Sequence, residues 1–134
     1  MIRTDIDVKD NLVAWVSGSD LAGAVSGEIF KDRRPLNSDK EDIVISVLSR
    51  TADSQIQVFI VNVNIYVKDL QRGQETIENT TRIRVLSRLS ADLFEYRNTG
   101  DMLIRLSSQE VFKANDIPWH VINNRLDISY NNEE

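Results

Sequence analysis

Few side chains in this sequence are of the types that carry out catalysis. His120 is the only histidine and cysteine is absent, so a nucleophile–base pair has one possible imidazole and a metal site has no thiolate ligand. His120 follows Trp119 in a predicted strand, and no Gly-x-Ser-x-Gly motif lies near it. A structural or surface role is the favoured interpretation of this histidine.

Three carboxylates, Asp39, Glu41 and Asp42, lie close together before a predicted strand. Clustered carboxylates can serve acid–base or metal chemistry, so a small metal-dependent hydrolase or nuclease is one alternative. The spacing of a calcium-binding loop is missing, and no second group of ligands accompanies them. A solvated loop is favoured, and we expect no enzymatic activity, no metal and no cofactor.

The compact run Arg33-Arg34-Pro35 is the sharpest basic feature and lies in the polar segment 32–42. Arginine contacts carboxylates or phosphates of partners, and loops of about a dozen residues tend to be functional or flexible. An ordinary exposed loop is the alternative. With polar residues of the long strand that follows, the candidate partner-binding residues are Arg33, Arg34, Pro35, Asn37, Asn62, Asn64 and Tyr66.

The predicted fold is organised around Gln55–Lys68, the longest strand-like run. Every second residue from Phe59 to Val67 is apolar, which gives this strand one continuous apolar face. The opposite face is apolar only at its beginning, at Ile56, Val58 and Ile60. We therefore expect the strand to be covered on both faces at that end alone.

Periodicity and turn signals place the remaining elements around this strand. A short helical turn or a loop is expected at Leu21–Gly27, a polar turn at Arg50–Ser54 and a polar tail at Asn131–Glu134. The predicted elements are a helix at Asp5–Ser17 with Asp5 as N-cap, strands at Glu28–Lys31, Ile43–Leu48 and Gln55–Lys68, a long helix at Glu75–Tyr96, and strands at Met102–Phe112 and Trp119–Tyr130. On the long helix, a solvated charged face is expected from Arg82, Arg84, Arg88, Glu78, Asp92 and Glu95.

The order α-β-β-β-α-β-β predicts a single α+β domain over residues 1–134. Grouped strands joined by short polar turns favour antiparallel pairing, so we expect a mostly antiparallel sheet of about five strands with the long helix packed on one face. The other face is expected to be only partly protected. Open edges of such a thin sheet need cover, and oligomerisation commonly supplies it.

The charge balance and the apolar runs limit the kinds of partner. The 134 residues carry a formal net charge of −5, which weighs against a duplex-DNA binder that neutralises phosphates. The N-terminus is polar where a signal peptide needs an apolar region, and no apolar run reaches the roughly 20 residues of a membrane span. We expect a protein of the cytoplasm or of an assembled particle, without a membrane partner.

Two segments, GEIFKDRRPLNSDKEDIVISVL and QIQVFIVNVNIYVKD, carry a family resemblance. The chain resembles small tail-completion or tail-terminator proteins of long-tailed phages, especially those of Bacteroides-type phages and prophages. The shared pattern is an R-P-x-(N/D)-S loop, a hydrophobic strand and a second strand ending in N-I-Y-V-x-D, and the similarity spans about residues 25–130. The loop before the long helix is shorter than the family's usual connection. The matching residues are Arg34, Pro35, Asn37, Ser38, Glu41, Asp42, Ile43, Val44, Asn64, Ile65, Tyr66, Val67 and Asp69.

The resemblance implies a non-enzymatic virion protein without a cofactor. Such a subunit forms a homo-oligomeric ring, commonly hexameric or dodecameric, at the phage head–tail junction or at the tail end. Its partners would be copies of itself and portal, connector or tail-tube proteins, in the virion and, during assembly, in the host cytoplasm. DNA would only pass through the lumen, and a mostly acidic lumen would repel DNA from its wall. The alternative is a small non-enzymatic adaptor that stays monomeric and docks one partner through a strand edge or loop.

Overall fold

The computed structural model describes residues 3–51 and 56–131. Most of the turn predicted at 50–54, and all but the first residue of the tail predicted at 131–134, lie outside the described residues. The helices are α1 (Asp5–Ser17), α2 (Asp20–Ala24) and α3 (Thr80–Phe94). The strands are β1 (Ile29–Lys31), β2 (Ile43–Arg50), β3 (Ile56–Lys68), β4 (Leu70–Arg72), β5 (Glu75–Ile77), β6 (Tyr96–Asn98), β7 (Met102–Lys113) and β8 (Trp119–Asn131).

Six of the strands form one sheet in the order β1-β2-β3-β8-β7-β6. Only β1 and β2 are parallel, and the other four neighbouring pairs are antiparallel. The α+β class and the mostly antiparallel sheet are therefore confirmed. The predicted order is incomplete, because β6 and a separate two-stranded sheet of β4 and β5 were not expected, and α2 forms where a short helical turn or a loop had been left open.

The centre of the sheet is the antiparallel pair of β3 and β8, joined along their whole length from Ile56↔Asn131 to Lys68↔Trp119. On one face of β3 the alternating apolar residues from Phe59 to Val67 are fully buried. Burial of each such side chain contributes roughly 1.5–3 kcal/mol, so this face carries much of the stability. The same face of the sheet packs against two helices rather than one: α1 through Val8, Leu12 and Val16, and α3 through Ile83, Leu86 and Phe94.

Helix α1 has the predicted bounds but a different N-terminal cap. The N-cap is Thr4, not Asp5. The Asp7 N–H donates to Thr4 Oγ1 at 3.2 Å, and the Thr4 N–H donates to Asp7 Oδ2 at 2.8 Å. This reciprocal capping box satisfies two N–H groups that the first turn leaves unpaired.

Helix α3 is shorter than predicted at both ends. Gly73, in the left-handed region with φ of 62°, turns the chain so that β4 and β5 pair from Leu70↔Ile77 to Arg72↔Glu75. The helix then begins after Asn79, whose side chain accepts a hydrogen bond from the Arg82 N–H at 3.2 Å. All six residues of β4 and β5 are exposed, so this pair forms a protruding hairpin.

Gly27 marks a close approach between the segment before β1 and the segment before β2. Its N–H donates to the Glu41 carbonyl at 3.0 Å. A Cβ at this position would lie 2.6 Å from the same carbonyl oxygen, which no side-chain movement can relieve. Glycine is therefore needed for β1 to reach its parallel register with β2.

Candidate interaction surface

The face of the sheet opposite α1 and α3, here called the outer face, carries three of the seven predicted interface residues. On β3 this face consists of alternate residues from Ile56 to Lys68, which include Asn62, Asn64 and Tyr66. The segment 32–42, here called the Arg34 loop, packs on it near Tyr66. The outer face is therefore the candidate surface for partner binding.

Arg34 holds the Arg34 loop against the outer face. Its Nε lies 3.1 Å from Asp42 Oδ2, and its Nη2 donates to the carbonyls of Ser38 at 2.7 Å and Lys40 at 3.1 Å. Its guanidinium carbon lies 4.4 Å from the Tyr66 ring centroid and 4.2 Å from that of Trp119. The Arg34 side chain is only 11% exposed, so most of its binding capacity is used within the chain.

The neighbours of Arg34 remain available at the surface. Arg33, Pro35 and Asn37 are exposed, and Leu36 between them is 94% exposed. Asn37 has φ of 63°, in the left-handed region that asparagine tolerates better than most residues. This turn presents Leu36 outward at the tip of the Arg34 loop, an apolar anchor that sequence analysis did not single out.

Four of the seven predicted interface residues line one cavity of about 490 Å³. The aromatic floor is formed by Tyr66 and Trp119, and Ile117 on the opposite rim is 41% exposed. The predicted residues that line it are Arg34, Pro35, Asn37 and Tyr66. Arg33, Asn62 and Asn64 lie outside this cavity.

Asn62 and Asn64 occupy the outer face with different hydrogen bonding. Asn64 Oδ1 accepts from Asn123 Nδ2 at 2.6 Å, so its side chain is tied to β8. Asn62 Oδ1 is buried without a hydrogen-bond partner among the described residues, and Asn62 lies opposite Arg125 in the register. Asn62 therefore keeps an unused acceptor, whereas Asn64 has a structural partner.

In the part of the chain that the structure describes, the apolar end of the outer face is exposed, contrary to the expectation that it would be the covered end. Ile56 is 53% exposed, and Val58 and Ile60 are partly exposed. Leu48, in the β-bulge of β2 next to Ile60, is 52% exposed. These four residues form what we call the outer apolar patch. The Arg34 loop covers the opposite end of β3 because Tyr66 and Trp119 offer it aromatic faces.

The three clustered carboxylates do not converge. The buried Asp42 accepts from the Glu28 N–H at 3.2 Å and from Ser38 Oγ at 2.5 Å, besides its contact with Arg34. Glu41 turns toward α3, and Asp39 is exposed. Across residues 3–51 and 56–131, no three histidine, aspartate or glutamate side chains are grouped so that they could hold a metal ion.

Arg82 does not belong to the solvated face of α3 as predicted. Its Nε donates to Glu41 Oε2 and its Nη2 to Glu41 Oε1, both at 2.7 Å, and Nη2 also contacts the Ala24 carbonyl. The hydrogen bonds that Arg82 donates to Glu41 raise the pKa of Arg82. These hydrogen bonds of the Arg82 guanidinium connect α3 to the end of α2 and to the Arg34 loop. Arg84 and Arg88 are exposed, as expected.

His120 lies at the base of the hairpin formed by β4 and β5. Its Nδ1 is 2.6 Å from Oδ1 of the buried Asp69, which precedes β4, and its Nε2 is 4.0 Å from Oε1 of Glu78, which follows β5. Lys113 Nζ lies 3.7 Å from Asp69 Oδ2. Asp69 therefore holds Nδ1, whereas the 4.0 Å between Nε2 and Glu78 is too long for a hydrogen bond.

A larger cavity of about 700 Å³ lies between α1 and the strands β6 and β7. The guanidinium carbon of Arg97 lies 4.8 Å from the ring centroid of Trp15. The Tyr130 hydroxyl accepts a hydrogen bond from Asn11 Nδ2 at 3.0 Å. Burial raises the pKa of Tyr130. Sequence analysis missed this site because residues 97–101 fell between predicted elements, and β6 has only three residues in which to show a pattern.

Neither the models of known protein families nor the curated proteins include a match to this chain. Among the described residues, the helices are too short or too polar to cross a membrane.

Proposed function

We propose that this protein is a structural subunit of a tailed-phage particle, which assembles as a homo-oligomeric ring at the head–tail junction or at the tail end. Its partners would be copies of itself and portal, connector or tail-tube proteins. Its place would be the virion and, during assembly, the host cytoplasm. The resemblance in the Arg34 loop and in β3 names this class of protein.

The observation that carries the proposal is the outer apolar patch. Leu48 and Ile56 are each about half exposed, at 52% and 53%, and lie on adjacent strands with Val58 and Ile60. Grouped apolar side chains on an otherwise polar surface mark sites of protein–protein contact. A subunit that covers this patch with a neighbour fits a repeating assembly.

Two projecting features support the same proposal. The hairpin of β4 and β5 extends from the sheet with all six strand residues exposed, and an isolated two-stranded ribbon is only marginally stable in water. The tip of the Arg34 loop presents Leu36, which is 94% exposed. A ring subunit would place both features against neighbouring proteins and would leave DNA to pass through the lumen without a tight grip.

The test is the oligomeric state of the purified protein and of the variant Ile56→Lys. We expect the parent to form rings, seen by light scattering over a range of concentrations and by negative-stain microscopy. Ile56→Lys would shift the protein to smaller species, because a lysine ammonium in the patch cannot be buried against an apolar neighbour.

Ile6→Lys is the matched control, because Ile6 is an exposed isoleucine, 63% exposed, on α1 rather than on the outer face. Both variants should unfold within about 0.5 kcal/mol of the parent, as surface substitutions usually do. A parent that stays monomeric at all concentrations would contradict the proposal and favour the adaptor. Rings whose lumen is lined by arginines would contradict the expected acidic wall.

A further inference from the structure

Strand β7 has an open edge along more than half of its length. On the side away from β8, β6 pairs only with residues from Leu103 to Arg105. The last bond on that side joins the Leu106 N–H to the Glu95 carbonyl at 3.4 Å. In the part of the chain that the structure describes, no strand lies beside residues 108–113 on this side.

The backbone groups that face the open side can be assigned from the register. The Ala114 N–H donates to the Trp119 carbonyl at 2.9 Å, so Ala114 faces β8. The N–H and C=O of successive strand residues point to alternate sides. Gln109, Val111 and Lys113 therefore present their backbone groups outward, and the irregularity between Leu106 and Ser108 lies before this stretch.

From Glu110 onward the side chains along this edge are also exposed. Val111 is 39% exposed and Phe112 is 47% exposed. The opposite edge of the sheet is a poor match for this stretch, because β1 has only three residues and a β-bulge between Val47 and Ser49 interrupts β2. Among the described strands, β7 is thus the only one with a regular open edge long enough to pair with the same stretch of a second copy.

We propose that β7 pairs with β7 of a second copy, antiparallel across a two-fold axis at Val111. In this register Val111 faces its equivalent, and Gln109 of each copy faces Lys113 of the other. Three outward-facing residues on each strand would then exchange about six backbone hydrogen bonds. The two sheets become one continuous sheet.

Charge and hydrogen-bond count select this register over its neighbours. A two-fold axis at Glu110 would place two Glu110 carboxylates directly opposite each other, which destabilises an antiparallel pair. An axis at Phe112 leaves Gln109 without a partner and gives only about four backbone hydrogen bonds. The axis at Val111 places Glu110 opposite Phe112 and uses every outward-facing group.

This contact goes beyond the proposed ring and does not depend on it. A two-fold contact joins two copies only, whereas a ring needs a head-to-tail contact that repeats. If both contacts exist, the β7 pair joins two rings back to back. The ring contact and the β7 contact can be tested separately, because the outer apolar patch and the β7 edge are different surfaces.

The first test is cross-linking of Val111→Cys. The natural chain has no cysteine, so any disulfide must join two introduced thiols. Opposed residues of a hydrogen-bonded antiparallel pair have Cα atoms about 5.5 Å apart, within the range of about 4.4–6.8 Å that a disulfide spans. Phe112→Cys is the matched control, because it is equally accessible but lies opposite Glu110 in the proposed register.

We expect Val111→Cys to form disulfide dimers under mild oxidation about tenfold faster, or more, than Phe112→Cys, because only the former holds its thiols at a high effective concentration. The Ile56→Lys background should not change this ratio. Equal rates, or no dimer of Val111→Cys, would overturn the proposed pairing.

The second test compares Val111→Pro with Val111→Thr by sedimentation velocity. Proline removes the outward N–H and blocks an added strand without breaking a bond to β8, whereas threonine keeps the N–H and suits a strand. Both substitutions are made in the Ile56→Lys background, where the ring contact is removed. We expect a dimer for Ile56→Lys alone and with Val111→Thr, and its loss with Val111→Pro at an unchanged circular dichroism spectrum. A monomeric Ile56→Lys protein, or a dimer that survives Val111→Pro, would overturn the proposal.

Discussion

Arg34 anchors the Arg34 loop by using both the edge and the face of its guanidinium. The edge meets Asp42 and the carbonyls of Ser38 and Lys40, and the face covers Tyr66 and Trp119. Lysine offers a single point charge that cannot reach these groups together. Arg34 was predicted to bind a partner. It instead holds in place the loop whose exposed residues would contact that partner.

We predict that Arg34→Lys lowers the free energy of unfolding by about 1–3 kcal/mol, because the carbonyls of Ser38 and Lys40 and the buried Asp42 carboxylate lose their donors. Urea denaturation measures this change. Arg33→Lys is the control and should change stability by about 0.5 kcal/mol or less, since Arg33 is exposed. Equal effects of the two substitutions would show that the guanidinium of Arg34 is not needed for this anchoring.

Gly27 is a second residue whose substitution should lower the stability of the fold. Gly27→Ala places a Cβ against the Glu41 carbonyl at 2.6 Å, and overpacking of this kind typically costs about 1–3 kcal/mol. Thermal unfolding measures the loss. Gly23→Ala is the matched control, because nothing lies within 4 Å of its added Cβ, and alanine favours the short helix α2. A Gly27→Ala protein as stable as Gly23→Ala would contradict the close approach.

At the scale of elements, the start of α1 makes a pH-dependent contribution to the stability of the folded state. The hydrogen bond from the Thr4 N–H lowers the pKa of Asp7 below its ordinary value of 3.8. A carboxyl whose pKa is lowered by folding stabilises the fold above its unfolded pKa, and this stabilisation is lost as the pH falls through the folded pKa. The capping box therefore favours the folded state at neutral pH and weakens in acid.

We predict that Asp7→Asn is less stable than the parent at pH 7, and that the difference in melting temperature shrinks as the pH falls below the ordinary value of 3.8. Melting temperatures measured from neutral to acid pH give this comparison. Asp5→Asn, in the same helical turn, is the control and should show a smaller difference at pH 7, because Asp5 acts mainly on the helix dipole. A constant difference at every pH would rule out the carboxylate of Asp7 as the cause.

The long elements were predictable from the sequence, but among the short ones β4, β5 and β6 were not. The alternation in β3 and the apolar residues of α1 extend over 13 residues each, which is enough to define a period. Strands of three residues such as β5 and β6 show no period, so β5 was assigned to the long helix, and β6 to the last residue of that helix and the residues after it. The capping residue Asn79 was the available signal for the true start of α3.

At the scale of the whole molecule, the candidate site depends on which end of the outer face receives the Arg34 loop. The sequence placed Arg33, Pro35 and Asn37 in an exposed loop, and they are exposed. It could not show that Tyr66 and Trp119, far apart in the chain, come together as a platform for Arg34. Contacts of this kind depend on the strand register, so the open end of the outer face was assigned wrongly.

The position of β8 at the centre of the sheet has a consequence for how the protein is made. β8 is the last strand of the sheet in sequence, yet it lies between β3 and β7. As the ribosome extends the chain, the apolar face of β3 emerges long before the strand that completes its pairing. A nascent chain stalled before Trp119 would expose this face to chaperones and proteases, and fragments that lack β8 should be cleared from cells rather than accumulate.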